Sequence, residues 1–139
     1  MGFELQAYGE TVARLLELEE GGERLMPLVA EGPSNDEAYR LLKAAPAKDL
    51  FPKSAHPRGA LAGLWLYFSC FEEAHETAQD DPSPEGSFWH AILHRQEPDS
   101  GNSAYWFRRV GAHAVFPALV EETSRIVKKY PEAEFRPSV

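Results

Sequence analysis

The segment that decides the fold is residues 84–111, PEGSFWHAILHRQEPDSGNSAYWFRRVG. Apolar side chains recur at helical spacing in both of its halves, and Pro98 separates the halves. Ser83 is suited to cap the first half, Pro84 to occupy its first helical position, and Gly111 to close the second half. The segment therefore predicts two helices joined by a short turn, which is one helix-turn-helix hairpin.

The rest of the chain also shows helical periodicity, with stripes of apolar residues separated by links that contain glycine or proline. A capping box, formed by Ser34 and Glu37, is typical of a helix start. No run alternates between apolar and polar residues in the way that is typical of a strand. The helices predicted outside the hairpin cover approximately residues 5–20, 25–31, 34–45, 57–79 and 115–130.

These elements predict an all-α fold. We expect a single domain over residues 1–139, built as a bundle of about six or seven helices with short links. The hairpin near residues 84–111 is its one helix-turn-helix unit, and residues 131–139 are expected to form an irregular tail. A chain of 139 residues is long enough to bury a substantial core.

The composition narrows the class of partner. The chain has 22 acidic and 14 basic side chains and a net charge of −8, which argues against nucleic acid. The single cysteine, Cys70, excludes an internal disulfide and a zinc site built from several cysteines. No apolar stretch has the length of a membrane span, and the start does not resemble a secretory signal, so we expect a cytoplasmic protein without a membrane partner. A small-molecule ligand and a homo-oligomer both remain open.

Histidines mark the candidate site. His90 and His94 are one helical turn apart and, with Glu97, lie opposite the apolar arc of the first hairpin helix. On the longest predicted helix, Glu72 and His75 fall on the same face as the apolar stripe. If another helix buries these groups, they need hydrogen-bond partners, because an unpaired buried polar group costs about 1–3 kcal/mol. The sequence therefore predicts a polar junction between the His75 helix and the hairpin.

Two chemistries fit these residue types. Imidazoles and carboxylates bind zinc, iron or manganese, which makes a divalent metal the candidate cofactor. A histidine beside a carboxylate can also act as an acid or a base without a metal. The candidate metal ligands are His75, His90, His94, Glu72 and Glu97. The candidate catalytic residues are His75, His90, His94 and Glu97.

The second hairpin helix has a face that is rich in hydrogen-bond donors and flat rings, as a wall for a small polar or anionic ligand would be. The candidate ligand-binding residues are Arg95, Asn102, Tyr105, Trp106 and Arg109. The same groups could instead close the hairpin through salt bridges and turn hydrogen bonds. In that case the protein is a structural or protein-interaction module, so the sequence leaves open whether it is an enzyme.

The run from residue 90 to residue 111 resembles a segment of an uncharacterised bacterial protein family that has looser relatives in fungi. The shared pattern is His-x-x-x-His-Arg-x-Glu-x-Asp-x-x-Asn-x-x-Tyr-Trp, preceded by a helix with a histidine such as His75. This chain has Pro98 where a glycine commonly precedes the aspartate. Because no activity is assigned to that family, the resemblance implies residues to test rather than a reaction. These residues are His75, His90, His94, Arg95, Glu97, Asp99, Asn102, Tyr105, Trp106 and Arg109.

One geometric property separates a ligand pocket from an ordinary surface. If the pocket exists, the imidazoles of His75, His90 and His94 converge. A separation of more than about 10 Å would exclude a shared metal ion or a shared hydrogen-bond network.

Overall fold

The computed structural model describes residues 4–131, and within that range all regular secondary structure is helical, with no strand. The predicted all-α bundle is therefore confirmed, with eight α-helices rather than six or seven. Apart from its first residue, the predicted tail at 131–139 lies outside the described residues. The helices are α1 (Glu10–Glu17), α2 (Asp36–Ala44), α3 (Ala47–Leu50), α4 (Pro57–Tyr67), α5 (Phe71–Gln79), α6 (Pro84–Gln96), α7 (Ser100–Val110) and α8 (Val115–Lys129).

The hairpin of α6 and α7 forms as predicted. The Ser83 hydroxyl oxygen accepts a hydrogen bond from the Gly86 amide at 3.1 Å, and the Asp99 carboxylate accepts one from the Asn102 amide at 3.1 Å. These bonds satisfy amides that have no partner within a helix at its first turn. The Ser103 hydroxyl donates to the Ala91 carbonyl at 2.8 Å, which ties the two helices together in the buried part of the hairpin.

Small residues let α4 pack tightly against α6. A Cβ atom on Gly63 would lie 2.5 Å from the indole ring of Trp89, so this contact requires a glycine. The core is formed by fully buried side chains such as Leu15, Leu42 and Leu66. Each such side chain stabilises the fold by about 1.5–3 kcal/mol through removal from water. The packing holds α4, α5 and α6 as one block.

The predicted continuous helix over residues 57–79 is wrong, because the chain breaks between α4 and α5. Ser69 has a left-handed φ of 56°, and its amide donates to the Leu66 carbonyl at 2.9 Å. The Cys70 amide donates to the Trp65 carbonyl at 2.9 Å. This pair of bonds is a Schellman motif, which normally has glycine at the left-handed position. The break resets the helical phase, so α5 does not continue the apolar stripe of α4.

We expect Ser69→Gly to raise the free energy of unfolding by about 1 kcal/mol. A left-handed conformation costs a residue with a side chain about 1–2 kcal/mol, whereas glycine adopts it freely. Part of the gain is offset because the Ser69 hydroxyl is 3.3 Å from the Arg24 guanidinium. Urea denaturation of the wild type and the variant measures the difference.

The matched control is Ser69→Ala, which loses the hydroxyl but keeps a Cβ atom at the left-handed position. It is expected to be less stable than the wild type. If the glycine variant is no more stable than the alanine variant, residue 69 does not have the left-handed conformation that favours glycine.

The other boundaries differ from the prediction in detail. A 3-10 turn at Leu5–Tyr8 precedes α1, and residues 25–31 are not helical. Asn35, not Ser34, caps α2: its side chain accepts from the Ala38 amide at 2.9 Å, while the Ser34 hydroxyl donates to Glu19. Both residues are good caps, and the sequence alone did not distinguish them.

Helix α8 is held to the body mainly at its start. Phe116 lies 6.2 Å from Phe88 and 6.4 Å from Phe107, measured between ring centroids. Just before the helix, His113 accepts from the Val115 amide through Nδ1 and donates to Glu85 through Nε2, each at 3.1 Å. No residue of α8 is buried. In the described part of the chain, no helix is both long enough and apolar enough to cross a membrane.

Candidate metal centre

Helices α5 and α6 bring three histidines together. His90 and His94 lie one turn apart on α6, and α5 crosses the same face with His75. Although this face is opposite the apolar arc of α6, His90 is only 2% exposed and His94 only 6%. The predicted polar junction and histidine cluster are therefore present, and the cover is supplied by α5 and by Trp106 of α7.

The three imidazoles converge closely. The Nε2 atoms of His75 and His90 are 3.2 Å apart. The ring centroid of His94 lies 4.9 Å from that of His90 and 5.7 Å from that of His75. One potential ligand nitrogen from each ring can be chosen so that all three lie within 4.8 Å of one another. These distances are far below the separation that would exclude a shared ion or network.

A carboxylate orients the third imidazole. The Nδ1 atom of His94 lies 2.9 Å from Glu97 Oε2, and the side-chain Nδ2 atom of Asn102 lies 3.5 Å from the same nitrogen. When Nδ1–H donates to the carboxylate, the lone pair of His94 is on Nε2. In metal sites a histidine ligand usually donates its other nitrogen to an outer carboxylate in this way.

His90 is held in its neutral form. Burial, together with the nearby imidazoles of His75 and His94, lowers the pKa of His90 from 6.5 to about 4. Its ring stacks on Trp106 with centroids 3.9 Å apart. The Nδ1 atom of His90 is buried and has no hydrogen-bond partner among the described residues. At neutral pH this side chain therefore offers a lone pair rather than a positive charge.

Aromatic and cationic side chains of α7 form a wall next to the three histidines. The Arg109 guanidinium lies 5.3 Å from the centre of the Trp106 ring and donates to the Tyr105 hydroxyl at 3.2 Å. Within residues 4–131, Arg109 has no carboxylate at salt-bridge distance. An exposed guanidinium held over rings and without an ionic partner is suited to bind a carboxylate or phosphate group.

Two of the candidate residues lie apart from the cluster. Glu72 is exposed on α5 and does not belong to the group of converging ligand atoms. Arg95 lines a separate groove of about 610 Å³ together with Arg108. The residues that do come together are His75, His90, His94, Glu97, Asn102 and Trp106.

One contact of the site was not anticipated. Phe71 stacks on His75 with ring centroids 6.3 Å apart and an interplanar angle of 12°. The i, i+4 spacing of these residues could have predicted the contact, but only if the sequence had shown that a helix begins at Phe71.

Cys70 lies in the hydrophobic core. The side chain is 1% exposed, and burial raises the pKa of its thiol to about 12. A thiol that stays protonated is a poor nucleophile and a poor metal ligand. Cys70 therefore belongs to the core and not to the candidate centre.

Comparison with known proteins finds no matching family model, no matching curated protein and no matching solved structure.

Proposed function

We propose that this protein binds one divalent transition-metal ion through His75, His90 and His94, and that the ion presents a small polar or anionic ligand to the adjoining wall. The observation that carries the proposal is the convergence of three potential ligand atoms within 4.8 Å. Two of the imidazoles are buried, and buried polar groups of this kind are normally satisfied by partners.

The spacing and protonation of the imidazoles support this proposal. Two nitrogens bound to a tetrahedral zinc ion at about 2.0–2.1 Å stand about 3.3–3.4 Å apart. The Nε2 atoms of His75 and His90 are already 3.2 Å apart. A histidine must be neutral to bind a metal, and the lowered pKa of His90 keeps it neutral at pH 7. A set of imidazoles suits zinc, iron and related ions better than magnesium or calcium.

Three protein ligands would leave one position of a tetrahedral ion open. Sites with three protein ligands and an open position are typical of catalytic zinc, where the pKa of bound water falls to about 7. Glu97 would fix the orientation of His94, and Arg109 would attract the negative group of the ligand. Metal-assisted acid–base chemistry on an anionic substrate is the reaction class that these residues suit.

A metal-free network is the second candidate, and a specific observation favours it. The His75–His90 contact at 3.2 Å and the His94–Glu97 contact at 2.9 Å are hydrogen bonds that require no ion. In that case the histidines stabilise the packing of α5 on α6, and the protein is an interaction module. Whether Nε2 of His90 contacts His75 or an ion, its buried Nδ1 atom has no partner among the described residues, so this atom does not distinguish the two candidates.

Titration with cobalt(II) distinguishes the two candidates. The protein is prepared without a histidine tag, treated with a chelator and titrated, and the visible absorption of four-coordinate cobalt is followed. We expect saturation at one ion per chain in the wild type and in the control His56→Gln, which alters a histidine outside the cluster. Absence of saturable binding, or equal binding by a His90→Asn variant, would contradict the proposal.

A further inference from the structure

Helix α8 presents an apolar face that the rest of the described chain leaves uncovered. Leu119 and Ile126 are 44% exposed, Val120 is 67% exposed and Tyr130 is 57% exposed. Leu119, Val120 and Ile126 lie on one side of the helix together with Thr123 and Val127, and Tyr130, the residue directly after the helix, continues the spacing of a two-heptad seam. Isolated apolar residues on a surface are ordinary, but a continuous seam of this kind marks an interaction site.

The charges beside this seam identify the partner. If Leu119 and Ile126 occupy heptad position d, then Glu122 and Lys129 both occupy position g on the same flank. In an antiparallel pair of helices, equivalent flanks face each other. Each Glu122 then lies beside Lys129 of the other copy, so a twofold pair contains this ion pair twice. A parallel pair would instead place Glu122 beside Val127.

The apolar residues of the two helices also pair with one another in this antiparallel arrangement. With the twofold axis between residues 124 and 125, Leu119 faces Tyr130 of the second helix and Thr123 faces Ile126. On the opposite flank, Val120 meets Val127. A single antiparallel register therefore pairs apolar residues along the seam, valines along one flank and opposite charges along the other flank.

Two further observations support a second copy as the occupant. Lys129 has no carboxylate at salt-bridge distance in the range 4–131, whereas Arg125 already binds Glu121 and Glu122 within its own helix. The helix carries three basic and two acidic side chains, so it does not share the strong negative charge of the chain as a whole. Two copies therefore meet at α8 with little of the repulsion that opposes contact elsewhere.

We infer that this protein self-associates through an antiparallel pairing of α8, in which Glu122 of each copy binds Lys129 of the other. The inference does not depend on the metal centre. One helix per copy buries a small interface, of the kind found in weak complexes below about 1,200 Å². Association is therefore expected to depend on concentration within the range accessible to sedimentation.

Analytical ultracentrifugation of the full chain tests the seam. The wild type is expected to shift from monomer to dimer as its concentration rises, with and without a chelator. Ile126→Glu places a charge at the centre of the seam and is expected to keep the protein monomeric. A wild type that stays monomeric at every soluble concentration would overturn the inference, and so would an Ile126→Glu variant that associates as the wild type does.

A charge swap tests the antiparallel register. Glu122→Lys alone and Lys129→Glu alone each replace two attractive pairs by two repulsive ones and are expected to weaken the dimer by about tenfold. The double variant restores attraction and is expected to recover the affinity of the wild type. If the double variant is as weak as the single variants, the pairing is not antiparallel in this register. Circular dichroism confirms that each variant retains its helix content.

Discussion

His94→Asn is expected to weaken the binding of zinc or cobalt by more than about 100-fold. The substitution removes one of three proposed ligands, and even the loss of an outer partner of a ligand costs about 10–100-fold in affinity. Asparagine is chosen because its side-chain Nδ2 atom takes about the position of the imidazole Nδ1 atom and can still donate to Glu97, as His94 does now at 2.9 Å. The variant therefore tests the imidazole as a ligand with little disturbance of the hydrogen bond that orients it.

Glu97→Gln tests the partner of the proposed ligand instead of the ligand itself. It keeps all three imidazoles but weakens the bond to His94 Nδ1, so we expect a smaller loss of about 10–100-fold in metal affinity. Competition with a chromophoric chelator measures both constants, and thermal unfolding in the presence of a chelator checks the fold. Equal affinities in the wild type and both variants would mean that any bound metal lies elsewhere.

The metal-free protein is expected to lose on the order of 3 kcal/mol of stability between pH 6.5 and pH 4 through His90 alone. In the unfolded chain this imidazole becomes protonated below its ordinary pKa of 6.5, whereas in the fold its pKa is lowered to about 4. Between these values the unfolded state binds the additional proton. The free energy of unfolding therefore falls as the pH falls, and the loss levels off below the folded-state pKa of about 4.

Urea denaturation at a series of pH values, in the presence of a chelator, measures this dependence. The matched variant is His90→Gln, which is expected to be less stable at pH 7 but to show a flatter decline from pH 6.5 to pH 4. His56→Gln, at an exposed position, is expected to follow the wild type. Parallel curves for the wild type and His90→Gln would show that His90 is not held neutral by its surroundings.

Much of the fold could be predicted because local signals agree with it. Ser83, Pro84, Asp99 and Gly111 mark the ends of α6 and α7 by their capping chemistry, which acts over a few residues and does not depend on the rest of the chain. The break between α4 and α5 gave no comparable signal. Ser69 occupies a position that normally takes glycine, and neither glycine nor proline marks the site. The turn is held instead by the burial of Phe68 and Cys70.

The unpredicted break between α4 and α5 explains why the sequence placed Glu72 wrongly but predicted the histidine cluster. Treating residues 57–79 as one helix put Glu72 on the face of the apolar stripe, whereas in the structure Glu72 is exposed. The convergence of His75 with His90 and His94 was anticipated as a junction between helices, because the two hairpin histidines needed a cover. The stacking of Trp106 on His90 depends on how α7 packs on α6, which helical phase alone does not determine.

The most direct test of the proposed metal centre is the position of a bound ion in a crystal. Crystals of tag-free protein grown with zinc are measured on both sides of the zinc absorption edge, and an anomalous difference map is calculated. The proposal predicts one strong peak among His75, His90 and His94, about 2.0–2.1 Å from a nitrogen of each ring. A map from zinc-saturated crystals with no peak at the cluster, or with peaks only at surface carboxylates, would contradict it.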